Sequence, residues 1–390
     1  MPSNYLSGPD AANFFIMRAL FTSRLALLLY VIAVFVGAGI AQTPRPTATP
    51  KIAEEEGVVK VESRLVVIPV AITDAAGQPV TGLTAADFRI LEEGKLQKIE
   101  SVGTADAVPL EIALLFDVSA STDAMFKFEQ ETAAKFLQDV LKPNDRATVF
   151  TVGASPILVQ PRDTAERSIT AIRSITPTKE FTAFYDSVGA AADYLRKNAP
   201  EGTRRVIVVI SDGEDTNSTR IAQAIQNGYR QAGDKVNTLD QKSLYQMTVA
   251  NRDKAAMAER TRISKSLQDA DTVFYSINPA GSSYQLNQMS IFGQQNMEKF
   301  ATETGGTAFL PKFAPIDTKD DLKNTSNVRK NQAALDQIFR QLASELRAQY
   351  LVQYYPETDY PAGRFVKLNV GLSNPAGRKV RAREGYYVKQ

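Results

Sequence analysis

The chain has 390 residues, with 45 Lys and Arg against 43 Asp and Glu, and it contains no His, no Cys and no Trp. The missing residue types exclude a Ser-His-Asp triad, a thiol nucleophile, a disulfide and any metal site built on imidazole or thiolate ligands. A metal site in this protein must therefore use oxygen ligands, which favours Mg²⁺, Mn²⁺ or Ca²⁺. The net charge of +2 argues against nucleic-acid binding.

The first 41 residues have the layout of an export signal. Two arginines precede an apolar run over 25–40, and small residues stand at the two positions that a signal peptidase reads before Gln42. An uncleaved membrane anchor is the alternative, because the run is almost long enough to span a bilayer. We therefore expect an exported protein that is periplasmic, secreted or on the cell surface. It contacts a membrane only through this segment, if the segment stays uncleaved.

Two strand-rich flanks enclose the middle of the chain. Residues 42–57 contain three prolines and a Glu triplet, which predicts a flexible linker. Residues 58–108 and 346–390 show β-branched and alternating patterns separated by turns. Neither flank has enough strands for a stable sandwich alone, so we expect one small all-β sandwich formed by both flanks. Two unrelated β appendages are the alternative.

The middle of the chain, 109–345, alternates strands and helices. Continuous apolar runs over 111–116, 205–210 and 272–277 are typical of parallel strands that are buried on both faces. Helical spacing lies between them, and a long helix is predicted over about 331–349. The pattern predicts an α/β fold with a doubly wound, mostly parallel sheet, inserted in the β-sandwich. Ligands of such sheets bind beyond the carboxyl ends of the strands.

Oxygen-bearing side chains follow two of these strands and precede one helix. The first strand ends in Asp117, Ser119 and Ser121, the second run is followed by Asp212, and Thr182 lies just before a helix. Because parallel strands end at the same edge of a sheet, these five residues bring two carboxylates and three hydroxyls together, a set suited to a hard divalent ion. Helix caps and turns are the alternative, since Ser, Asp and Asp-Gly are common there.

This pattern resembles the von Willebrand factor A domain, whose metal-ion-dependent adhesion site has a D-x-S-x-S motif, a Thr before a helix and an Asp after a hydrophobic strand. The resemblance implies that Ser119, Ser121 and Thr182 carry oxygens near the ion. It also implies that Asp117 and Asp212 act largely through bound waters.

The resemblance further implies a supporting role for residues next to the ligands. Asp186 has the Thr-x-x-x-Asp spacing often seen there, and Gly213 and Asp215 adjoin Asp212. One departure is visible, because Glu180 and Phe181 stand where the family often has small glycines. The shape of that loop therefore differs, and Glu180 adds a local negative charge.

The flanks extend the resemblance to most of the chain. The stretches VTGLTAADFRILEEGKLQKIESV at 80–102 and VRAREGYYV at 380–388 look like the bacterial exported family called VWFA-related, first catalogued in Acidobacteria. The family label implies no defined biochemical activity.

Charge counting at the edge of the sheet suggests a binding function. A divalent ion held by two carboxylates and neutral hydroxyls keeps a coordination position that a carboxylate of a partner protein can fill. We therefore expect a metal-dependent protein-binding module and not an enzyme. An assembly factor for a membrane complex is one alternative. A metal-assisted hydrolase is less supported, because no His is present to act as a base.

A long segment separates the second and third apolar strands. Residues 216–271 are about twice what a crossover helix with its loops requires. We expect a helical insertion that forms a hairpin beside the metal edge and selects the partner. A solvated insertion with no role is the alternative.

Overall fold

The structure is a computed structural model, and it describes residues 65–119, 123–178, 180–279, 281, 288–315 and 319–389, without the side chains of residues 123–125 and 288. The predicted export segment, the linker and Ser121 lie outside these residues. No helix in the described ranges combines the length and apolarity needed to cross a membrane.

The strands in the described part of the chain are β1 (Val66–Thr73), β2 (Phe88–Glu92), β3 (Lys95–Gln97), β4 (Ile99–Thr104), β5 (Leu110–Asp117), β6 (Arg146–Val152), β7 (Ile157–Asp163), β8 (Arg204–Ile210), β9 (Thr272–Ile277), β10 (Ala308–Phe309), β11 (Tyr350–Tyr354), β12 (Phe365–Leu372), β13 (Lys379–Ala382) and β14 (Gly385–Tyr387). The α-helices of the same residues are α1 (Asp123–Val140), α2 (Ala165–Ser174), α3 (Phe184–Asn198), α4 (Thr219–Ala232), α5 (Gln241–Asp269), α6 (Gln288–Thr304) and α7 (Asp321–Ala348).

A six-stranded sheet forms the centre of the molecule, in the order β10, β9, β8, β5, β6, β7. All strands are parallel except β7, which runs antiparallel to β6 at one edge. Helices α1, α2 and α7 cover one face, and α3, α5 and α6 cover the other. The predicted doubly wound α/β fold is confirmed.

Strand β5 shows why a continuous apolar run is required. Leu114 and Phe116 point into the core under α1 and α7, while Ala113 and Leu115 point into the core under α3 and α6. Both faces are buried, and every residue from Ile112 to Phe116 is apolar; the one buried charge of the strand, Glu111, is paired with Arg162 (2.7 Å), and Asp117 is the first partly exposed residue.

The flanks form two four-stranded antiparallel sheets. One has the order β13, β1, β11, β4 and the other β14, β12, β2, β3. Each sheet combines strands from both ends of the chain, with Val66 opposite Tyr354 in one and Ile90 opposite Val370 in the other. Their inner faces share a core that includes Ile68. This confirms the prediction of an α/β unit inserted into a small β-sandwich.

Two features differ from or refine the predicted elements. Helix α7 begins well before the predicted start near residue 331, because Asp320 caps it by accepting a hydrogen bond from the backbone N–H of Lys323 (3.0 Å). In the region 216–271, α4 and α5 pack against each other with Asn251 close to Gly228. The second half of α5 covers the sheet through Ile263, so it also serves as the crossover helix.

Candidate metal centre

The site begins where the strand order reverses. The chain leaves β5 for β6 on one side, whereas β8 pairs with β5 on the other, with Phe116 opposite Ile210. The carboxyl ends of β5 and β8 are therefore neighbours, and Asp117 lies beside Ser211. Open α/β sheets bind ligands at this kind of switch point.

The first loop is folded around the carboxylate of Asp117. Its Oδ1 accepts hydrogen bonds from the backbone N–H of Ser119 (3.0 Å) and from the Ser119 hydroxyl (2.7 Å). The loop is also tied to its neighbour, since the N–H of Val118 donates to the carbonyl of Val152 (3.0 Å). Asp117 and Ser119 thus lie together, as predicted from the sequence.

Ser211 joins this loop to the loop that carries Asp212. Its buried hydroxyl donates to Oδ2 of Asp117 (2.5 Å) and accepts from the N–H of Gly213 (3.0 Å). Oδ1 of Asp212 accepts from the N–H of Glu214 (2.9 Å). The sequence analysis assigned no role to Ser211. The available signal was a polar residue that ends an apolar strand directly before Asp212.

Thr182 is held between two other loops by its backbone. Its N–H donates to Oγ1 of Thr216 (2.9 Å), and its carbonyl accepts from the N–H of Thr216 (2.8 Å) and Asn217 (2.9 Å). The next N–H, of Ala183, donates to the carbonyl of Gly153 (2.7 Å). The side chain is buried, and no hydrogen bond between described residues joins its hydroxyl to Asp117.

Asp215 and Asp186 both cap helices around the site. Asp215 accepts from the N–H of Tyr185 (3.0 Å) in the first turn of α3, and from the N–H (3.0 Å) and hydroxyl of Ser218. Asp186 accepts from the N–H (2.8 Å) and hydroxyl (2.7 Å) of Thr219 in the first turn of α4. These carboxylates stabilise the helix starts that border the site.

Gly213 brings α6 against the loop of Asp212. Its φ is +76°, a conformation that favours glycine, and a Cβ there would lie 2.8 Å from the carbonyl oxygen of Gly293. A Cβ on Gly293 would in turn lie 2.5 Å from the carbonyl carbon of Gly213 and 2.9 Å from the carbonyl oxygen of Asp212. The two backbones therefore touch, and Ser290 adds a hydrogen bond to Glu214.

Burial disfavours the negatively charged forms of Asp117 and Asp212. It raises the pKa of Asp117 above the ordinary value, against the hydrogen bonds of two serine hydroxyls that lower it. Burial also raises the pKa of Asp212 to about 6. Glu129, a buried residue on α1 that the sequence analysis did not single out, has its pKa raised to about 8 by burial and by the charge of Asp117.

The residues present fit a hard divalent cation. Two carboxylates and two hydroxyls of the predicted set lie in the described loops, and all are oxygen donors. None of the ion pairs between described residues involves Asp117 or Asp212, so neither carboxylate has a cationic partner there. Within the same ranges, no three acidic side chains converge as a metal site. The set is a mixture of carboxylates and hydroxyls.

Comparison with known proteins agrees with this geometry. Residues 112–214, which span Asp117 to Asp212, match the family model of the von Willebrand factor type A domain. No curated protein matches the sequence.

Several solved structures are similar over about three fifths of the chain. An aerotolerance-related membrane protein from Bacteroides fragilis NCTC 9343 is 16% identical, with 60% of this chain and 99% of that chain covered and a TM-score of 0.32. The protein BatB from Bacteroides thetaiotaomicron is 14% identical, with 60% and 98% covered and a TM-score of 0.33. The PilB minor pilin from Streptococcus sanguinis is 13% identical, with 63% of each chain covered and a TM-score of 0.38.

Proposed function

We propose that this chain, which contains a von Willebrand factor type A domain at residues 112–214, is a module of protein interaction that binds a partner protein through a divalent metal ion at the carboxyl edge of the central sheet. Asp117, Ser119, Ser121, Thr182 and Asp212 would hold the ion. Mg²⁺ is the first choice, with Mn²⁺ or Ca²⁺ as alternatives. A bound divalent ion supplies an electrophilic centre to which a carboxylate of the partner can bind.

The observation that carries this proposal is a pair of carboxylates that have no cationic partner among the described residues. Asp117 is linked through Ser211 to the loop of Asp212, and burial raises the pKa of both carboxyls. Removal of a carboxylate from water disfavours its charged form, and hydrogen bonds from neutral donors compensate for this less than a nearby cation does. A divalent cation would supply the missing positive charge.

The surrounding residues prepare the site before any ligand arrives. The hydroxyls of Ser119 and Ser211 fix the two oxygens of Asp117, so its orientation is set by the loops. The contact between Gly213 and Gly293 fixes the path of the chain next to Asp212. Side chains that are already held in position lose less conformational entropy when the metal ion binds.

Binding is favoured over hydrolysis. Activation of water at a metal ion is commonly assisted by a general base, most often His, and the sequence has no His. We propose that the acidic residues near the ion act as ligands and as helix caps.

A capture experiment in the presence and absence of metal tests this function. The immobilised protein is incubated with exported proteins of the source cells in Mg²⁺, and bound partners are eluted with EDTA. We expect a partner that EDTA and millimolar acetate release, and that the Asp117→Asn variant does not retain. Equal retention in Mg²⁺ and in EDTA would contradict a metal-bridged contact.

Export is the other part of the proposed function. The layout of residues 1–41 supports it, because basic residues, an apolar run and small residues before Gln42 follow one another. Sequencing of the mature amino terminus tests it. A start at Gln42 supports a cleaved signal, a retained segment in the membrane fraction supports an anchor, and recovery in the cytosol contradicts export.

A further inference from the structure

A pocket lies between α5 and α6, beside the loop that follows β8 (residues 211–218, here called the metal loop). Its volume is about 310 Å³, near the low end of the range of about 300–1,000 Å³ for ligand pockets, and it borders Gly213 and Asp215. Its apolar lining comes from both helices and comprises Ala256, Met257, Met289, Ile291 and Phe292. Met257 is 55% exposed and Ile291 36% exposed, so this lining is reached from solvent.

Asn296, one of the residues that line this pocket, carries an unused hydrogen-bond acceptor. Asn296 is only 1% exposed, and its Nδ2 donates to the hydroxyl of Tyr185 (2.6 Å). Its Oδ1 is buried and has no hydrogen-bond partner among the described residues. Buried polar atoms are nearly always hydrogen-bonded. An unpaired amide oxygen on a residue that lines a pocket therefore indicates that a ligand supplies the hydrogen-bond donor.

The charged groups of the pocket are already partnered. Arg252 pairs with Asp253 (2.9 Å), and Asp215 accepts hydrogen bonds from Tyr185 and Ser218. The guanidinium of Arg260 lies 5.6 Å from the centre of the Phe292 ring. The unpaired group in the pocket is the neutral amide oxygen of Asn296, so a neutral hydroxyl donor is a suitable complement to it.

We propose that this pocket, the Asn296 pocket, receives the side chain of a tyrosine of the partner protein. An aromatic ring packs well against two methionine thioethers and Phe292, and sulfur–aromatic contacts add to that packing. The phenol hydroxyl donates the hydrogen bond that Oδ1 of Asn296 lacks. Tyrosine combines both groups in one side chain and is enriched among the residues that dominate interface energies.

The position of the pocket makes it a second anchor of the same docking face. Met289 and Asn296 belong to α6, the helix whose Gly293 touches Gly213 in the metal loop. A partner that places a carboxylate at the ion can therefore reach the pocket with a nearby tyrosine. The identity of the occupant as a partner's side chain rests on the proposed function, whereas the chemistry of the pocket does not.

Binding of p-cresol to the full-length protein tests the inference. The chain has seven methionines, and isotope-labelled methionine methyl groups report binding by NMR. We expect p-cresol to shift the signals of Met257 and Met289 saturably, with a Kd of about 1 mM for a fragment of this size. Toluene, which lacks the hydroxyl, is expected to bind about tenfold more weakly because the hydrogen bond to Asn296 is lost.

Three variants sharpen the test. Asn296→Leu should reduce p-cresol binding about tenfold and abolish its advantage over toluene. Asn369→Leu, the matched change at an exposed position of β12, should leave binding unchanged. If Asn296→Leu does not fold, Met257→Arg is tested instead. The bulky arginine at this exposed lining position blocks entry to the pocket and should weaken p-cresol binding at least about tenfold.

Two results would overturn the inference. One is the absence of saturable shifts at Met257 and Met289, and the other is equal affinity of the wild-type protein for p-cresol and toluene. The titrations are run in EDTA and repeated in Mg²⁺. Failure of the metal ion to bind while p-cresol still binds would remove the metal-bridged function and leave the pocket, so the two proposals fail separately.

Discussion

Ser211 connects separate parts of the site at the scale of single residues. One hydroxyl donates to Oδ2 of Asp117 and accepts from the N–H of Gly213, so it joins the loop after β5 to the loop after β8. It is fully buried, so bulk solvent does not compete for its hydrogen bonds. The orientation of Asp117 depends on this contact and on the hydroxyl of Ser119.

Removal of the Ser211 hydroxyl should weaken metal binding. In Ser211→Ala, Oδ2 of Asp117 loses its donor, and loss of a hydrogen bond that orients a ligand lowers metal affinity about 10- to 100-fold. Isothermal titration calorimetry with Mg²⁺ measures the change. Ser101→Ala, which removes an exposed hydroxyl in the sandwich, is the control. Unchanged affinity in Ser211→Ala would show that Asp117 is positioned without it.

The pKa of Asp212 predicts how pH controls the site. Burial raises it to about 6 in the folded protein, against about 3.9 in an unfolded chain. The folded state therefore binds the proton more tightly, and this stabilising contribution, present at low pH, is lost as pH rises through about 6.

Because a metal ion replaces that proton, Mg²⁺ should raise the melting temperature more near pH 7 than near pH 5. Thermal melts in saturating Mg²⁺ and in EDTA at both pH values measure this difference. In Asp212→Asn the dependence should be reduced. An Mg²⁺ effect of the same size at both pH values would contradict a ligand role for Asp212.

At the scale of elements, α6 packs directly against the metal loop. The backbones of Gly213 and Gly293 are in contact, and Ser290 hydrogen-bonds Glu214. The same helix supplies Asn296 and Met289 to the neighbouring pocket. A shift of α6 must therefore change both the metal loop and the pocket.

A methyl group at Gly293 should disturb the metal loop. Its Cβ would lie 2.5 Å from the carbonyl carbon of Gly213, so the loop or the helix must move. We expect Gly293→Ala to cost about 1–3 kcal/mol of stability and to reduce Mg²⁺ affinity. Gly371→Ala on β12, where nothing lies within 4 Å, should change neither. Denaturant unfolding measures the loss of stability, and calorimetry measures the Mg²⁺ affinity. An Mg²⁺ affinity in Gly293→Ala equal to that of the wild type would exclude coupling between α6 and the metal loop.

At the scale of the whole molecule, a partly buried ion pair joins the α/β unit to the sandwich. Glu345 of α7 is 2% exposed, and its Oε1 lies 2.7 Å from Nη2 of Arg381 on β13. The hydroxyl of Thr307 donates to the same oxygen (3.1 Å). Together with strands drawn from both ends of the chain, this contact ties the inserted unit to its host.

Breaking this pair should destabilise the whole protein. In Glu345→Gln the partly exposed charge of Arg381 loses its buried partner, and we expect a loss of about 1–3 kcal/mol in the free energy of unfolding. The exposed pair of Asp193 and Arg196 is the matched control, and Asp193→Asn should cost less than about 1 kcal/mol. Urea unfolding measures both, and equal small losses in the two variants would contradict a structural role for the junction.

Local runs of apolar residues made the central strands and the position of the site predictable from the sequence. The apolar runs over 111–116 and 205–210 predict strands buried on both faces, and parallel pairing then brings Asp117 close to the loop that carries Asp212. Strand β7 gave no such signal, because it lies at the sheet edge and is half exposed.

The contacts that sequence reasoning missed join distant positions. Tyr185 and Asn296 meet across the face of the sheet, and Ser211 meets Asp117 across two strands. Neither pairing leaves a periodic signal, because periodicity reports which face is buried and not which polar groups meet. The buried Glu129 was equally hidden, since its pKa depends on packing of α1 over the site.

A calorimetric titration of Mg²⁺ into the purified protein, beside the Asp117→Asn variant, tests the metal-bridged function most directly. The substitution keeps the shape of the side chain and removes its charge, so the fold should persist, as circular dichroism can verify. We predict saturable binding of one ion to the wild-type protein and a loss of at least about tenfold in affinity in the variant. A folded wild-type protein that binds no Mg²⁺ or Mn²⁺, or a variant that binds Mg²⁺ as tightly as the wild type, would contradict the account.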